Sequence, residues 1–141
     1  MVVLNIPSEY GYVMLVASSA VAVNFMQIIK IGQMRKKLGI KYPVMTSDKH
    51  PEFNCTQRAH QNTLELLPFF YTGLFVGGLR HPIGAAALGA CFIGGRIIYS
   101  MGYWTGDAER RTPGALLSMP VVFFGLTGLA VSTAAGVLGW W

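Results

Sequence analysis

A stripe of polar residues lies within an apolar stretch of this sequence, and its residue types suit ligand binding. Arg58, Asn62 and Glu65 are spaced i, i+4 and i+7, so at about 100° per residue they share one face of a helix. Ionisable side chains are costly in lipid and usually face a protein interior or a water-filled cavity. An arginine suits a carboxylate, and Glu65 suits an ammonium group or a neighbouring arginine. The stripe therefore predicts one wall of a polar pocket.

A second stripe of polar residues follows in a later apolar run. Tyr99, Tyr103 and Arg110 fall on one face of a helix and its extension, and Arg96 lies about 60° from that face. We expect the two stripes to converge on one pocket if their helices are neighbours.

Simpler explanations exist for most of these residues. Glu65 and Arg96 could form an ion pair that only holds the bundle together. Tyr99 and Tyr103 could be aromatic anchors at the membrane interface, and Arg110 could mark topology only. We favour a site, because a bundle that needs polar contacts for packing seldom needs so many polar residues on two aligned stripes.

The composition restricts the class of protein that can carry these stripes. Hydrophobic residues make up 52% of the 141 residues and charged residues 12%, whereas a soluble domain averages about 25% charged residues. So few charges cannot cover a soluble surface, and 17 glycines without a collagen-like period suit close helix packing in lipid. The net charge of +5 comes from basic residues beside apolar runs, which argues against a nucleic acid partner. We predict one all-α integral membrane domain over residues 1–141.

Four apolar runs predict four membrane-spanning helices that form a bundle. Residues 10–29 hold no charge and are long enough to cross about 30 Å of hydrocarbon. Runs 66–79 and 82–95 are too short alone and must extend through polar residues, while 112–141 form a fourth run. The short link at Arg80 makes the second and third helices an antiparallel hairpin. The predicted helices cover roughly 8–37, 52–79, 82–104 and 112–139.

The charge of the connections predicts the orientation of the bundle. The first connection, from Arg35 to Arg58, is rich in basic residues, and the third holds Arg110 and Arg111. These connections lie on one side of the membrane, which the positive-inside rule makes cytosolic. We therefore expect the polar pocket near the cytosolic side and the Arg80 turn, with both termini, on the other.

The cysteines and histidines form no metal-binding pattern, so we predict no metal site. Cys55 and Cys91 have no CxxC spacing, and His50 and His81 lie in connections. Cys55 sits near a predicted membrane boundary, where acylation and redox chemistry stay open, but we favour an inert thiol.

Four ordered stretches of the sequence resemble one family of membrane proteins. Residues 58–65, RAHQNTLE, preceded by EFNC at 52–55, resemble the membrane-associated eicosanoid and glutathione metabolism proteins, the MAPEG family, and most closely its type 3 microsomal glutathione S-transferase branch. The resemblance covers nearly the whole chain in order and spacing. The other stretches are RKK at 35–37 with YP at 42–43, GRIIYSMGY at 95–103, and TGD at 105–107 with RR at 110–111.

The resemblance implies a homotrimer of four-helix subunits that binds glutathione as co-substrate between adjacent subunits. It also implies contact with membrane lipids and a hydrophobic small molecule as acceptor. By position, Arg35 matches a basic residue contributed by the neighbouring subunit, and Arg110 matches the arginine thought to stabilise the glutathione thiolate. The residues that match glutathione contacts are Arg58, Asn62, Glu65, Tyr99 and Tyr103.

The activity that the resemblance implies is a glutathione transferase or peroxidase, which acts on lipophilic electrophiles or lipid hydroperoxides. The expected location is the endoplasmic reticulum, with the outer mitochondrial membrane as second candidate. Leukotriene C4 synthase activity stays open, because Leu66 stands where relatives with that activity often carry Tyr, and His60 replaces a Gln found in some of them. The alternative is a non-catalytic lipid-binding scaffold like the 5-lipoxygenase-activating branch. That branch lacks an arginine matching Arg58 and differs around Arg110, so this sequence favours the enzyme.

Overall fold

The computed structural model describes residues 6–140, and every regular element in that range is helical. The first three helices are α1 (Tyr10–Leu38), α2 (Pro51–Arg80) and α3 (Pro82–Tyr103). A short 3-10 turn (Ala108–Arg111) leads into a fourth segment. That segment consists of α4 (Thr112–Pro120), a π-helical turn (Val121–Leu126) and α5 (Thr127–Val137). The predicted all-α, four-helix architecture is confirmed.

Glycine and proline residues set the ends of the first three helices. α1 ends at Gly39, which adopts a left-handed conformation with φ of 68° and donates its N–H to the carbonyl of Arg35. Pro51 and Pro82 begin α2 and α3, where the missing N–H of proline costs no helical hydrogen bond. Only His81 separates α2 from α3, so the two helices form a tight antiparallel hairpin.

A buried apolar cluster joins the helices in the middle of the bundle. Phe70 of α2 and Phe92 of α3 are fully buried and stack with 4.4 Å between their ring centroids. Val13 of α1 and Leu126 of the fourth segment belong to the same cluster. In lipid, helices associate through close van der Waals contact, so the fit of these side chains fixes how the helices pack.

The fourth segment contains a π-helical turn where the sequence predicted one uninterrupted helix. Pro120 has no N–H, and its ring conflicts with the carbonyl four residues earlier, so a regular α-helix cannot pass through it undisturbed. The backbone widens at Val121–Leu126, directly after this proline. There the Thr127 hydroxyl donates a hydrogen bond of 2.9 Å to the carbonyl of Val122.

Within residues 6–140, three helical segments are long and apolar enough to span a membrane, namely Tyr10–Leu38, Pro82–Tyr103 and Ala108–Val137. α2 is also long enough at 30 residues, but the first half of α2 carries the Arg58 stripe and several amide side chains, which lower its mean hydropathy. The sequence predicted four spans, and length and composition identify three. α2 fits the membrane when its polar face packs against protein or a ligand, not against lipid.

Candidate active site

The two polar stripes meet where α2 packs against α3. The side-chain amide of Asn62 on α2 donates a hydrogen bond to the hydroxyl of Tyr99 on α3. Tyr99 is 3% exposed, and its ring meets the ring of Tyr103 edge-on, with 5.1 Å between the centroids. Both tyrosines pack against Ala59 of α2. The structure therefore brings together three residues that the sequence singled out.

Two glycines let the chain after α3 fold back against these tyrosines. Gly114 of α4 lies so close to Tyr99 that a Cβ there would overlap the Tyr99 backbone. Gly102 of α3 lies equally close to the carbonyl of Arg110. Because only glycine permits this approach, the two contacts fix the 3-10 turn and its arginines beside Tyr103.

Arg58 and Glu65 form an ion pair along α2, with 3.1 Å between Nη1 and Oε1. Their side chains are 52% and 57% exposed, so solvent screens the attraction and the pair adds little to stability. Glu65 pairs with Arg58 and not with Arg96, which removes the simpler explanation that Glu65 and Arg96 hold the bundle together. The pair presents an oriented arginine that can bind a further anion.

Arg96 lies inside the bundle and is 1% exposed. Its Nε and Nη2 donate to the Thr63 hydroxyl at 3.1 and 2.8 Å, and its Cζ lies 3.8 Å from the centroid of the Tyr99 ring. Gln27 of α1 donates to the hydroxyls of Thr63 and Ser100 at 2.8 and 2.7 Å. The polar stripes did not predict Gln27, Thr63 and Ser100 as members of the hydrogen-bond network around Arg96. One feature of the sequence could have pointed to this hydrogen-bond network, namely Gln27, which is an amide within an otherwise apolar run.

The two adjacent arginines of the 3-10 turn point to different environments. The side chain of Arg110 is 67% exposed and pairs with Asp107 at 3.4 Å. Arg111 lies over the ring of Tyr103, with 5.3 Å from Cζ to the centroid, and donates to the Ala108 carbonyl at 2.8 Å. The structure thus gives Arg111, not Arg110, the contact with the tyrosine pair. The catalytic role expected of Arg110 stays a prediction.

An open cleft of about 360 Å³ runs from these residues along the fourth segment. Its polar end is formed by Tyr99, Arg111 and Thr112, while the rest of its wall is apolar. The apolar lining consists of Ala115, Leu116, Met119 and Pro120. A cleft of this kind can hold a polar group at one end and an apolar chain along the other.

Arg35 occupies a second, separate cavity. Its guanidinium stacks on Tyr42 and Phe53, with 4.1 and 5.0 Å from Cζ to the ring centroids, and the residue is 6% exposed. Within residues 6–140, its Nε and Nη1 have no hydrogen-bond partner. Together with Gln57 and His60, Arg35 lines a cavity of about 190 Å³. Unpaired donors of a buried cation are well suited to bind an anionic group.

The described part of the chain, residues 6–140, contains no group of three His, Cys, Asp or Glu side chains that could hold a metal ion. Cys55 and Cys91 are both free thiols. Cys55 packs beside the tyrosine pair and contacts the carbonyl of Gly106 at 3.5 Å.

These observations define the class of protein. It is a membrane helix bundle with tyrosine, asparagine and arginine side chains gathered at one end. Comparison with known proteins is more specific, since residues 13–132 match the MAPEG family and the chain belongs to that family. Human microsomal glutathione S-transferase 2 is 33% identical over 112 residues, which cover 79% of this chain and 69% of the human protein.

Two further relatives support the assignment to the family. Mouse microsomal glutathione S-transferase 2 is 36% identical over 109 residues, covering 77% of this chain and 69% of the mouse protein. The uncharacterized protein sll1147 of Synechocystis sp. is 36% identical over 104 residues, covering 73% of this chain and 74% of that protein. These matches confirm the predicted family. They do not test the resemblance to the type 3 branch, which stays a prediction.

Proposed function

We propose that this protein is a membrane-bound glutathione transferase and peroxidase that acts on lipophilic electrophiles and lipid hydroperoxides. The observation that carries the proposal is that Tyr99 and Arg111 line the polar end of a cleft with an apolar wall. Asn62 contacts Tyr99 and Tyr103 contacts both cleft residues, so all four side chains are gathered at this end. Such a cleft can hold a water-soluble thiol beside an acceptor that arrives through the membrane. The relatives named as glutathione S-transferases support glutathione as the thiol.

Glutathione is bound, in this proposal, by residues from two copies of the chain. Arg35 stacks on Phe53, which lies on the same face of α2 as Gln57 and His60. By helical geometry that face is roughly 140° from the stripe that holds Arg58. One small ligand cannot touch both faces of α2 in a single subunit. A ligand between subunits can, which supports a homotrimer whose sites are shared between neighbouring copies.

The expected contacts follow from the charges of glutathione, which has two carboxylates, one ammonium and one thiol. Arg58 and Arg35 bind the carboxylates, and Glu65 takes the ammonium or holds Arg58 in place. Asn62, Tyr99 and Tyr103 complete the wall around the thiol. Arg110 is the proposed thiolate-stabilising residue, and Arg111 is its direct competitor on structural grounds because it contacts Tyr103.

The chemistry depends on the thiolate, which is only a few per cent of a free thiol with a pKa of about 8.5 at pH 7. A nearby arginine lowers the pKa of the bound thiol and increases the thiolate fraction. In conjugation, the thiolate sulfur forms a carbon–sulfur bond while the leaving group departs or the epoxide carbon–oxygen bond opens and its oxygen takes a proton. In peroxide reduction, the thiolate cleaves the oxygen–oxygen bond, a second glutathione completes the disulfide, and a lipid alcohol and water are released.

The proposed location follows the charge of the connections. The exposed basic residues Lys36, Lys37 and Lys41 lie at the same end of the bundle as the candidate site. The positive-inside rule then supports a site that faces the cytosol, where glutathione is abundant in the reduced form. We assign the protein to the endoplasmic reticulum, with the outer mitochondrial membrane as second candidate.

A turnover assay tests the proposal directly. The purified protein in lipid nanodiscs is given glutathione with a lipid hydroperoxide, a leukotriene epoxide or a haloarene. We expect glutathione to bind and at least one acceptor to turn over. Arg58→Ala should weaken glutathione binding, whereas Arg80→Ala, at the opposite end of α2, should not. A correctly assembled protein that binds a lipid ligand but no glutathione would instead be a scaffold.

A further inference from the structure

Arg96 is a buried cation that has no acidic partner. It is 1% exposed, and none of the ion pairs formed within residues 6–140 includes it. A charge buried in this way is costly unless the surrounding groups compensate it. Neutral groups accept from Nε and Nη2, while Nη1 has no hydrogen-bond partner within residues 6–140, so the charge of Arg96 remains available to act on its surroundings.

The position of Arg96 is fixed by hydrogen bonds across the bundle. Thr63 of α2 accepts from both Nε and Nη2, and the Ala59 carbonyl accepts from Nη2 at 3.5 Å. Gln27 of α1 holds the Thr63 hydroxyl from the other side and is itself contacted by His60 at 3.2 Å. Three helices therefore hold the guanidinium in one place.

The face of that guanidinium lies against the ring of Tyr99. The distance from Cζ to the ring centroid is 3.8 Å, which is within the range of a strong cation–π contact. Asn62 donates a hydrogen bond to the Tyr99 hydroxyl oxygen. With Asn62 as the donor to that oxygen, the hydroxyl proton can be donated to another group. Tyr99 also lines the cleft that ends at Arg111.

Both contacts draw electron density away from the oxygen of Tyr99. A cation over the ring attracts the π electrons, and the amide of Asn62 attracts a lone pair of the hydroxyl. A phenol whose oxygen loses electron density donates a stronger hydrogen bond. The strongest acceptor for that hydrogen bond is an anion. Within residues 6–140, the other charged or titratable groups beside the tyrosine pair are Arg111 and the thiol of Cys55, and Tyr103 itself lies against Tyr99.

We propose that Arg96 is a positioning residue that makes the Tyr99 hydroxyl a strong hydrogen-bond donor to the sulfur of bound glutathione. The inference rests on the proposed function, because it requires glutathione to be the ligand of the cleft. Arg96 acts through Tyr99 and does not itself touch the ligand. The thiolate is then stabilised by two kinds of group, the permanent charge of an arginine in the 3-10 turn and the hydroxyl of Tyr99.

A double-mutant cycle on Arg96 and Tyr99 tests this role. Absorbance of the bound thiolate is titrated in the wild type, in Arg96→Met, in Tyr99→Phe and in the double variant. Each single variant should raise the pKa of bound glutathione by about one unit, which is about tenfold less thiolate at a given pH. Affinity for neutral glutathione, measured below the pKa of the bound thiol, should change little, while affinity at higher pH should fall in step with the lost thiolate. The double variant should be no worse than Tyr99→Phe, because Arg96 has no other route to the sulfur.

Control variants separate this role from a structural one. Arg80→Met removes a charge at the far end of α2 and should leave the thiol pKa unchanged. Arg96→Met should fold, since an apolar side chain of similar length replaces a costly buried charge. If it does not, Arg96→Lys enters the same cycle and should retain part of the thiolate. Thermal stability and oligomer size are measured for each variant.

The outcomes distinguish this inference from the function on which it rests. If the wild type binds no glutathione, the proposed function fails. If the wild type forms thiolate and the effects of the two variants multiply, Arg96 acts independently of Tyr99 and the inference is overturned. The inference is also overturned if Arg96→Met leaves the thiol pKa unchanged. It is overturned as well if Arg96→Met loses affinity and turnover equally together with thermal stability, because Arg96 would then only support the bundle.

Discussion

Gly114 lies directly against the backbone of Tyr99, and this contact sets the distance between the fourth segment and the candidate site. A methyl group at Gly114 would overlap the Tyr99 amide nitrogen, which is backbone and cannot move without shifting α3. The position of the Tyr99 hydroxyl and the width of the cleft therefore depend on the absence of a side chain at residue 114.

We expect Gly114→Ala to lower the free energy of unfolding by about 1–3 kcal/mol, the usual cost of overpacking. Turnover should fall as well, because α3 and α4 must separate around Tyr99. Gly128→Ala is the matched control, since Gly128 is helical and has open space around its Cα. The measurement is denaturation in detergent together with turnover. Equal stability of both variants would contradict the close packing of Gly114.

The topology of the bundle can be tested by labelling single cysteines in sealed vesicles. In a background that lacks Cys55 and Cys91, Lys36→Cys and Arg111→Cys should react with an impermeant maleimide from the cytosolic side. Arg80→Cys should react only from the opposite side, because one complete α2 separates it from the first connection. Labelling of positions 36 and 80 from the same side would mean that α2 does not cross the membrane.

Shared sites predict a particular result when two inactive variants are co-expressed. If subunits of Arg35→Ala and Arg58→Ala mix randomly in a trimer, about one quarter of the interfaces combine an intact Arg35 with an intact Arg58. Activity should recover to about one quarter of the wild type. We expect this recovery because Arg35 and Arg58 lie on opposite sides of α2 in each chain.

The control for this experiment mixes the wild type with the double variant Arg35→Ala/Arg58→Ala. Shared sites again give about one quarter of the wild-type activity, whereas sites within single subunits give about one half. In the first mixture, sites within single subunits give no activity. The pair of mixtures therefore decides between the two arrangements in assembled oligomers of verified composition.

Much of the fold was predictable because it depends on local signals. Apolar runs define the helices, and Gly39, Pro51 and Pro82 define where helices end or begin. The meeting of Asn62 with Tyr99 also follows, since the α2–α3 hairpin makes their faces neighbours. The π-helical turn after Pro120 did not follow, because a proline in an apolar run allows a kink, a bulge or a break, and packing selects among these.

The environments of Arg110 and Arg111 could not be derived from helical spacing. The stripe from Tyr99 to Arg110 assumed a constant rotation of about 100° per residue. α3 ends at Tyr103, and the chain turns at Gly106 with φ of 85° before the 3-10 turn begins. The rotation is therefore lost between Tyr103 and Arg110. The partners of Arg96 were hidden for a similar reason, since they come from two other helices.

The last prediction concerns which arginine activates the thiol. Arg110 is exposed at the end of the bundle where a soluble thiol enters, and its charge is permanent at any relevant pH. Arg111 lines the cleft, and its guanidinium lies over the ring of Tyr103. We expect Arg110→Ala to raise the pKa of bound glutathione by about two units, which corresponds to roughly 2.7 kcal/mol and a hundredfold smaller thiolate fraction. Arg110 must leave Asp107 to do this, and the exposed pair between them is weak enough to allow it.

Thiolate absorbance at saturating glutathione, with turnover in parallel, decides between the two residues. A raised thiol pKa with unchanged affinity for neutral glutathione indicates stabilisation of the sulfur, whereas weaker binding of neutral glutathione with a normal thiol pKa indicates a carboxylate contact. If Arg111→Ala loses the thiolate and Arg110→Ala keeps it, the activating charge is the one beside Tyr103. Asp107→Asn frees Arg110 but also removes a negative charge that disfavours a nearby thiolate. Comparison with Asp107→Asn/Arg110→Ala therefore separates the cases further, because a gain in thiolate that needs Arg110 is lost in the double variant.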